Sequence, residues 1–127
     1  GKCWETAMDG SDLLGLWELV SVTTPVDGGM EYPFGREPVG TIQYLQDGYM
    51  AVHLTGSDEA EGKTRAYSGT WSFEDDTVTH NIQVSLETHL RGETVRRRAS
   101  LEGDRLIYRT EEAQGAGRPR VVWRRVP

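Results

Sequence analysis

Apolar and polar residues alternate along most of this chain, in short runs that Gly, Asp and Pro separate. Alternation with a period of two is typical of strands that bury one face, and runs rich in Val, Ile, Thr and aromatic residues favour the same structure. The pattern predicts eight strands: Gly15–Thr23, Val39–Leu45, Tyr49–Thr55, Ala66–Glu74, Thr77–Glu87, Thr94–Leu101, Arg105–Thr110 and Arg120–Val126.

The number and spacing of these strands indicate the fold class. Eight short consecutive strands in 127 residues predict an all-β, antiparallel up-and-down barrel, because closure removes exposed strand edges. A two-sheet sandwich is the alternative, since its turns have the same sequence pattern. A short helical turn is predicted only at the start, where Ser11 or Asp12 caps a turn through Leu14. Residues 1–127 are expected to form one domain, with its core at about 12–126.

The fourth and fifth predicted strands show the clearest alternation, and the Asp75-Asp76 pair between them predicts a tight hairpin turn. Their apolar faces must be the buried ones, and a single register keeps every buried residue on the same side. From the turn outward, that register pairs Phe73 with Val78, Trp71 with His80, Gly69 with Ile82 and Tyr67 with Val84.

Two further hairpins follow from turns that contain glycine. A three-residue loop at 46–48 fits the apolar pattern better than a two-residue turn, and it places Tyr44 beside Met50. A two-residue turn at 103–104 sets the faces of the strand before it. Its alternation directs Arg97 inward and its two arginine neighbours to water.

The predicted inward positions are mostly aromatic and aliphatic. An eight-stranded barrel either packs solid or holds one small ligand, and apolar walls with a few polar anchors are typical of small-molecule pockets. Core filling is the alternative explanation for each aromatic side chain. The candidate ligand-binding residues on the strands are Tyr44, Met50, Tyr67, Trp71, Val84, Tyr108 and Trp123.

The long segment Thr24–Pro38 carries two further candidates for ligand binding, Tyr32 and Phe34. It contains three Pro and three Gly, and loops of such length are often lids or binding loops, with disorder as the alternative. Because strand direction alternates, we expect this segment at the barrel end opposite Gly15, where both rings can cover an entrance.

Two inward polar residues are the candidates for catalysis. His80 titrates near neutral pH and suits orientation or proton transfer, and a core histidine bonded to a tyrosine explains it equally well. A buried Arg97 needs a partner. It reaches the rim, stacks on an aromatic ring, or binds a ligand carboxylate or enolate.

Other kinds of site lack the residues that they need. His53, His80 and His89 are widely spaced, and no Cys-x-x-Cys or His-x-x-x-His motif occurs, so neither a metal nor a cofactor is predicted. Cys3 lies near the start of the chain, outside any catalytic motif. The paired carboxylates that glycosidases use are missing as well.

The net charge of −6 is unevenly distributed: residues 1–90 carry 15 acids and four bases, and residues 91–127 carry five acids and ten bases. The acidic balance argues against nucleic acid and anionic membranes as partners. No apolar run approaches the ~18 residues that a spanning helix needs. A single cysteine excludes an internal disulfide and favours a reducing, cytoplasmic location.

Several segments resemble the small lipocalin-like domain family of bacteria and fungi. Leu13–Ser21 resembles the Gly-x-Trp opening of lipocalins, and the resemblance extends from about Asp12 to Val126. The other segments that carry it are Pro38–Tyr44, Asp47–Met50, Tyr67–Trp71, Val78–His80, Val84–Leu86, Gly103–Leu106 and Val122–Val126.

The resemblance implies a fold and a way of closing it. In lipocalins a short helical turn closes the barrel floor and a late-strand arginine stacks on the opening tryptophan, which implies that Arg125 lies over Trp17. The chain is shorter than secreted lipocalins and lacks their disulfide. Some small barrels of related architecture act as cyclases or isomerases in natural-product pathways, so the fold alone does not name the activity.

Together these observations predict a barrel that binds a small, mostly apolar organic molecule in its lumen, through shape, aromatic contacts and one or two polar anchors. The alternative is a cofactor-independent cyclase or isomerase that acts on a polyketide- or terpene-like intermediate, with His80 and Arg97 polarising a carbonyl. A second alternative is a packed barrel that serves as an interaction module.

Overall fold

A computed structural model describes residues 8–110 and 119–127. This part of the chain contains nine strands and three short 3-10 turns, the latter at Gly10–Leu13, Asp58–Ala60 and Thr88–Leu90. The strands are β1 (Gly15–Val26), β2 (Gly29–Glu31), β3 (Val39–Tyr44), β4 (Tyr49–Thr55), β5 (Thr64–Glu74), β6 (Thr77–Ser85), β7 (Thr94–Glu102), β8 (Arg105–Arg109) and β9 (Arg120–Arg125).

The strands form one antiparallel sheet that closes on itself. From β3 to β9 each strand pairs with the next, β1 pairs with β3, and β9 pairs back with β1. Strands β1 and β3–β9 therefore form the predicted eight-stranded up-and-down barrel, and β2 only extends the far end of β1. Because of this closure, none of these eight described strands is an edge strand.

The floor of the barrel is the end at which β1 begins, together with the turns at 45–48, 75–76 and 103–104. Its 3-10 turn is capped by Asp9, whose carboxylate accepts the Ser11 N–H at 2.9 Å. Asp12 completes a capping box by accepting the Asp9 N–H at 2.9 Å. The predicted cap at Ser11 or Asp12 is therefore wrong, because the turn begins earlier than the apolar pattern indicates.

Trp17 closes this floor. Its side chain is completely buried, its indole N–H donates to the Leu13 carbonyl at 2.9 Å, and the Arg125 guanidinium lies 4.1 Å from its ring centre. Arg125 also donates to the carbonyls of Asp12 and Leu14, which ties the last strand to the first turn. The stacking that the family resemblance implies is present.

The predicted registers beside the hairpin turns are confirmed. Gly48 has a φ of +95°, as the three-residue loop requires, and Asp75 and Asp76 both have positive φ, as the two-residue turn requires. The confirmed pairs are Tyr44 with Met50, Phe73 with Val78, Trp71 with His80, Gly69 with Ile82, Ala99 with Tyr108 and Leu101 with Leu106.

A β-bulge interrupts the β5–β6 pairing above Gly69. Gly69 pairs with Ile82 but Ser68 pairs with Val84, which leaves Gln83 as an extra residue in β6. The two backbones approach so closely here that a Cβ atom on Gly69 would lie 1.9 Å from a carbonyl oxygen of β6. Only glycine fits this position without movement of the strands.

The bulge reverses the faces of the residues beyond it. Val84, predicted to point inward, is 66% exposed, and Ser85 points inward instead, with 4% exposure, opposite Tyr67. The predicted pairing of Tyr67 with Val84 is therefore wrong. Strand β6 ends at Ser85, before the predicted end at Glu87, and Leu86 is 64% exposed.

The rim is the opposite end of the barrel, where the segments 27–38, 56–63 and 86–93 lie. The predicted Thr24–Pro38 loop is in part a hairpin, because β1 continues to Val26 and pairs with β2 across an Asp-Gly turn. Phe34 is buried in the core, and the Ser57 N–H donates to its carbonyl at 2.9 Å. The 56–63 connection therefore holds the Phe34 backbone in place.

The barrel interior is one continuous cluster of buried side chains. Its members come from all eight barrel strands except β5, which contributes partly buried aromatic residues, and from both ends. The buried members are Leu13, Trp17, Leu19, Val22, Phe34, Ile42, Tyr44, Met50, Val52, Leu54, Val78, Ala99, Leu106, Tyr108 and Trp123.

Two predictions fall on other parts of the chain. Cys3 lies outside the described residues, and so do residues 113–118 of a glycine-rich segment whose sequence predicts the last hairpin loop, at 113–119. None of the helical segments within residues 8–110 and 119–127 has the length and hydropathy that crossing a bilayer requires.

Candidate functional site

Four polar side chains form a hydrogen-bonded network across the barrel interior. Nε2 of His80 lies 2.6 Å from the Tyr44 hydroxyl oxygen, and its Nδ1 lies 2.7 Å from that of Tyr67. The Tyr44 hydroxyl also shares a short hydrogen bond with the Tyr108 hydroxyl. We call the series Tyr108–Tyr44–His80–Tyr67 the Tyr–His network.

The alternation of the strands brings this network together. His80 is 3% exposed and lies on the inner face opposite Trp71, as the register predicts. The Trp71 ring meets the Tyr44 ring edge-on, with centres 4.8 Å apart, and its N–H donates to the Leu45 carbonyl at 3.0 Å. Trp71 thus fixes the Tyr44 ring from the floor side.

Burial keeps the Tyr–His network uncharged. It lowers the pKa of His80 to about 3, and the positive charge of Arg97 adds to this effect. Burial also raises the pKa of Tyr67 to about 12 and raises the pKa of both Tyr44 and Tyr108. A neutral imidazole donates from one nitrogen and accepts at the other, so one neighbouring tyrosine donates to the ring and the other accepts from it.

A cleft of about 480 Å³ opens beside Tyr67 at the rim, and we call it the Tyr67 cleft. Tyr67 is half-buried: its ring lines the cleft and its hydroxyl meets His80. Tyr67 therefore connects the cleft to the buried network. The other lining residues are Val52, Ala66, Ser68, Val84, Ser85, Leu86 and Arg91.

The β-bulge in β6 shapes this cleft. It turns Ser85 inward and leaves Val84 and Leu86 exposed at the mouth. The Nε–H of Arg91 donates to the Ser85 carbonyl at 3.3 Å, which holds the guanidinium at the same mouth. Alternation alone does not predict Ser85 and Arg91 here, although Gly69 inside a strand is the usual sequence signal for a bulge.

Four predicted ligand-binding residues lie deeper than the cleft. Tyr44, Met50, Tyr108 and Trp123 are each at most 3% exposed and belong to the packed interior. Trp71 is half-buried and packs against the same cluster. Core packing accounts for the burial of all five, and their contact with a ligand stays a prediction.

The two predicted loop aromatics have different surroundings. Phe34 fills the rim end of the core, and the Lys63 ammonium lies 4.5 Å from its ring centre. Tyr32 is half-buried, and the Arg36 guanidinium lies 4.4 Å from its ring centre beside a separate polar hollow of about 700 Å³. Phe34 thus closes the rim, whereas Tyr32 lines a surface hollow.

Arg97 is half-buried between two exposed arginines, in agreement with the predicted alternation. Its Nη1 donates to the Arg96 carbonyl at 2.9 Å. It lines a groove of about 300 Å³ that shares no lining residue with the Tyr67 cleft. Arg97 therefore affects the Tyr–His network through its charge, and its place in catalysis stays a prediction.

One buried donor in the interior lacks an acceptor. The indole N–H of Trp123 has no hydrogen-bond partner among the described residues. An unpaired buried N–H costs free energy, because the group loses its hydrogen bonds to water without replacement.

Among the described residues, no three His, Cys, Asp or Glu side chains lie close enough together to hold a metal ion.

The closed barrel and the Trp17–Arg125 floor define the class of protein. The family described as a lipocalin-like domain matches residues 14–66 and 59–126, two overlapping segments that span nearly the whole chain. The chain belongs to this lipocalin-like domain family. A search of curated proteins finds no match to it.

Proposed function

We propose that this protein binds a small, mostly apolar organic molecule in the Tyr67 cleft. The observation that carries the proposal is the composition of the cleft: five of its eight lining residues are apolar or aromatic. One of these five, Tyr67, is hydrogen-bonded to His80. Small-molecule pockets commonly have apolar walls, a few polar groups and a volume of roughly 300–1,000 Å³. The family also fits small-molecule binding in general.

The mouth of the cleft supports the same proposal. Val84 and Leu86 lie on either side of the inward-pointing Ser85 in the chain, and they are 66% and 64% exposed. A ligand that covers them removes apolar surface from water, at about 25 cal/mol per Å². Adjacent exposed apolar side chains around a concave site are typical of a binding surface.

Fluorescence of N-phenyl-1-naphthylamine, a neutral apolar probe, tests the proposal. We expect saturable enhancement with the wild-type protein and its loss in Val84→Asp, because a carboxylate at the mouth disfavours an apolar ligand. Val39→Asp is the matched control, since Val39 is a strand valine with 71% exposure that does not line the cleft. Equal binding by both variants excludes the cleft. Absence of binding to the wild type favours a packed barrel that serves as an interaction module.

A second candidate function is a cofactor-independent cyclase or isomerase. The observation that favours it is the Tyr–His network, which reaches the cleft through Tyr67. When a bound carbonyl compound loses its α-proton to the Tyr67 oxygen, the Tyr67 hydroxyl proton can pass to Nδ1 of His80, and the reverse transfers return a proton to the substrate. We also propose a cytoplasmic setting, which the single cysteine supports.

Hydrogen–deuterium exchange at carbon separates the enzyme from the binding protein. 1-Tetralone in D₂O is followed by proton NMR for loss of its α-proton signal with the wild type, Tyr67→Phe and Tyr32→Phe. An enzyme of this kind accelerates the exchange in the wild type and in Tyr32→Phe, and much less in Tyr67→Phe. Exchange at the buffer rate with all three proteins leaves binding as the function.

A further inference from the structure

Arg91 is the one cationic side chain among the described residues that line the Tyr67 cleft. Its Nε–H donates to the Ser85 carbonyl at 3.3 Å, and Ser85 lies directly opposite Tyr67 in the sheet. Arg91 and Tyr67 are therefore neighbours of the same residue. Both side chains line the cleft, so one ligand in it can contact both.

Glu87, which follows the cleft residue Leu86 in the chain, belongs to another ion pair. Glu87 accepts from Nε of Arg65 at 2.8 Å, and Nε2 of His89 lies 3.9 Å from the same carboxylate. Among the described residues, Arg91 forms no ion pair, and Nε is the only nitrogen of its side chain that donates a hydrogen bond. Arg91 thus lines the cleft without an ion-pair partner among the described residues.

The inner part of the cleft offers no competing charge. At neutral pH His80 is uncharged, because burial lowers its pKa to about 3, and Tyr67 is uncharged because burial raises its pKa to about 12. Val52, which is buried, supplies apolar surface there. The cleft is therefore apolar inside and cationic at its mouth, a polarity that matches an amphipathic anion.

We infer that the ligand of the Tyr67 cleft is an organic acid, whose carboxylate is bound by Arg91 and whose apolar body lies against Tyr67. This inference rests on the proposed binding function. Arginine suits the role because its planar guanidinium can bind both oxygens of a carboxylate. The protein has a net charge of −6, so its overall field repels anions, and a local cation is needed to hold one.

Calorimetric titration with 2-naphthoate and its neutral isostere 2-naphthamide tests the inference. We expect the wild type to prefer 2-naphthoate, and Arg91→Met to weaken that ligand about tenfold or more while it changes 2-naphthamide less than about twofold. Arg105→Met is the matched control, because Arg105 is an exposed arginine beside Asp104 that does not line the cleft. It is expected to change neither affinity.

Two further measurements make the outcome decisive. Arg91→Lys keeps the charge but loses the planar fork, so its affinity for 2-naphthoate is expected to lie between those of the wild type and Arg91→Met. Circular dichroism checks the fold of each variant. If N-phenyl-1-naphthylamine binds but the wild type shows no preference for 2-naphthoate, or Arg91→Met keeps that preference, the inference is wrong and the proposed function stands. If none of the three probes binds, both are wrong.

Discussion

The Arg125 guanidinium lies 4.1 Å from the centre of the Trp17 ring, and the two residues are also paired across β1 and β9. The pairing of these two residues helps to close the sheet, and the contact of their side chains closes the floor of the barrel. The guanidinium additionally donates to carbonyls of the preceding turn, so the first and last elements of the barrel depend on each other.

Replacement of Trp17 by alanine is expected to lower the free energy of unfolding by about 3–5 kcal/mol, the usual range for a large buried aromatic residue. The loss includes the ring contact with Arg125 and the hydrogen bond to Leu13. Urea denaturation measures it. Tyr49→Ala, at a site with 52% exposure, is the control and is expected to cost far less. A Trp17→Ala midpoint close to the wild-type value would show that Trp17 does not close the floor.

The two buried indoles are expected to respond differently to phenylalanine. Trp17 donates its N–H to a carbonyl at 2.9 Å, whereas the Trp123 N–H has no partner among the described residues. Trp17→Phe loses a hydrogen bond and leaves an unpaired acceptor, and Trp123→Phe removes an unpaired donor. Thermal unfolding is therefore expected to show a larger loss of stability for Trp17→Phe, by about 1–3 kcal/mol. Equal losses would mean that the Trp123 N–H is paired in solution.

Acidification is expected to destabilise the fold through His80. Its pKa is about 3 in the folded protein and 6.5 in its ordinary, exposed state. The unfolded chain therefore binds this proton first, so the stability from neutral His80 is complete above about pH 6.5 and is lost as the pH falls toward 3. At about 1.4 kcal/mol per unit of pKa the loss amounts to several kcal/mol.

The free energy of unfolding, measured between pH 7 and pH 4, tests this linkage. His80→Gln is expected to reduce the pH dependence, and His53→Gln is expected to keep it, since His53 is exposed on the outer face. A His80→Gln variant with the full wild-type slope would assign the dependence to other groups.

Gly69→Ala is expected to cost far more stability than Gly29→Ala. Its Cβ would lie 1.9 Å from the Asn81 carbonyl oxygen, so the strands must separate, at a cost of about 1–3 kcal/mol or more. Gly29→Ala is the control, because nothing lies within 4 Å of the added atom. Chemical denaturation compares the two variants. Similar stabilities would show that the bulge relaxes easily.

The alternation of apolar residues predicts most of the fold because one face of each barrel strand is buried. The pairings of Trp71 with His80 and of Tyr44 with Met50 depend only on that alternation and on the length of a turn, both of which are local properties. The extension of β1 and its pairing with β2 were not predicted, because the prolines of that segment favoured a loop, although its Asp-Gly turn is a hairpin signal.

The candidate site is less predictable, since it depends on long-range geometry. The sequence places Tyr44, Tyr67, His80 and Tyr108 on inner faces, but their hydrogen bonds depend on the radius of the barrel and on side-chain rotamers. The composition of the cleft depends on the bulge, because it exchanges the roles of two adjacent side chains. Arg91 enters the site from a connection, where alternation gives no information.

The bulge at Gln83 makes the register of β5 and β6 a determinant of the site chemistry. Below it, β6 directs His80 into the barrel, and above it the same strand directs a serine inward and a valine outward. The same chain without the bulge would pair Tyr67 with Val84, which would return Val84 to the interior and move Ser85 to the surface, with no change in the identity of either residue. A relative that keeps these residues but lacks the bulge would therefore present a different cleft on the same barrel.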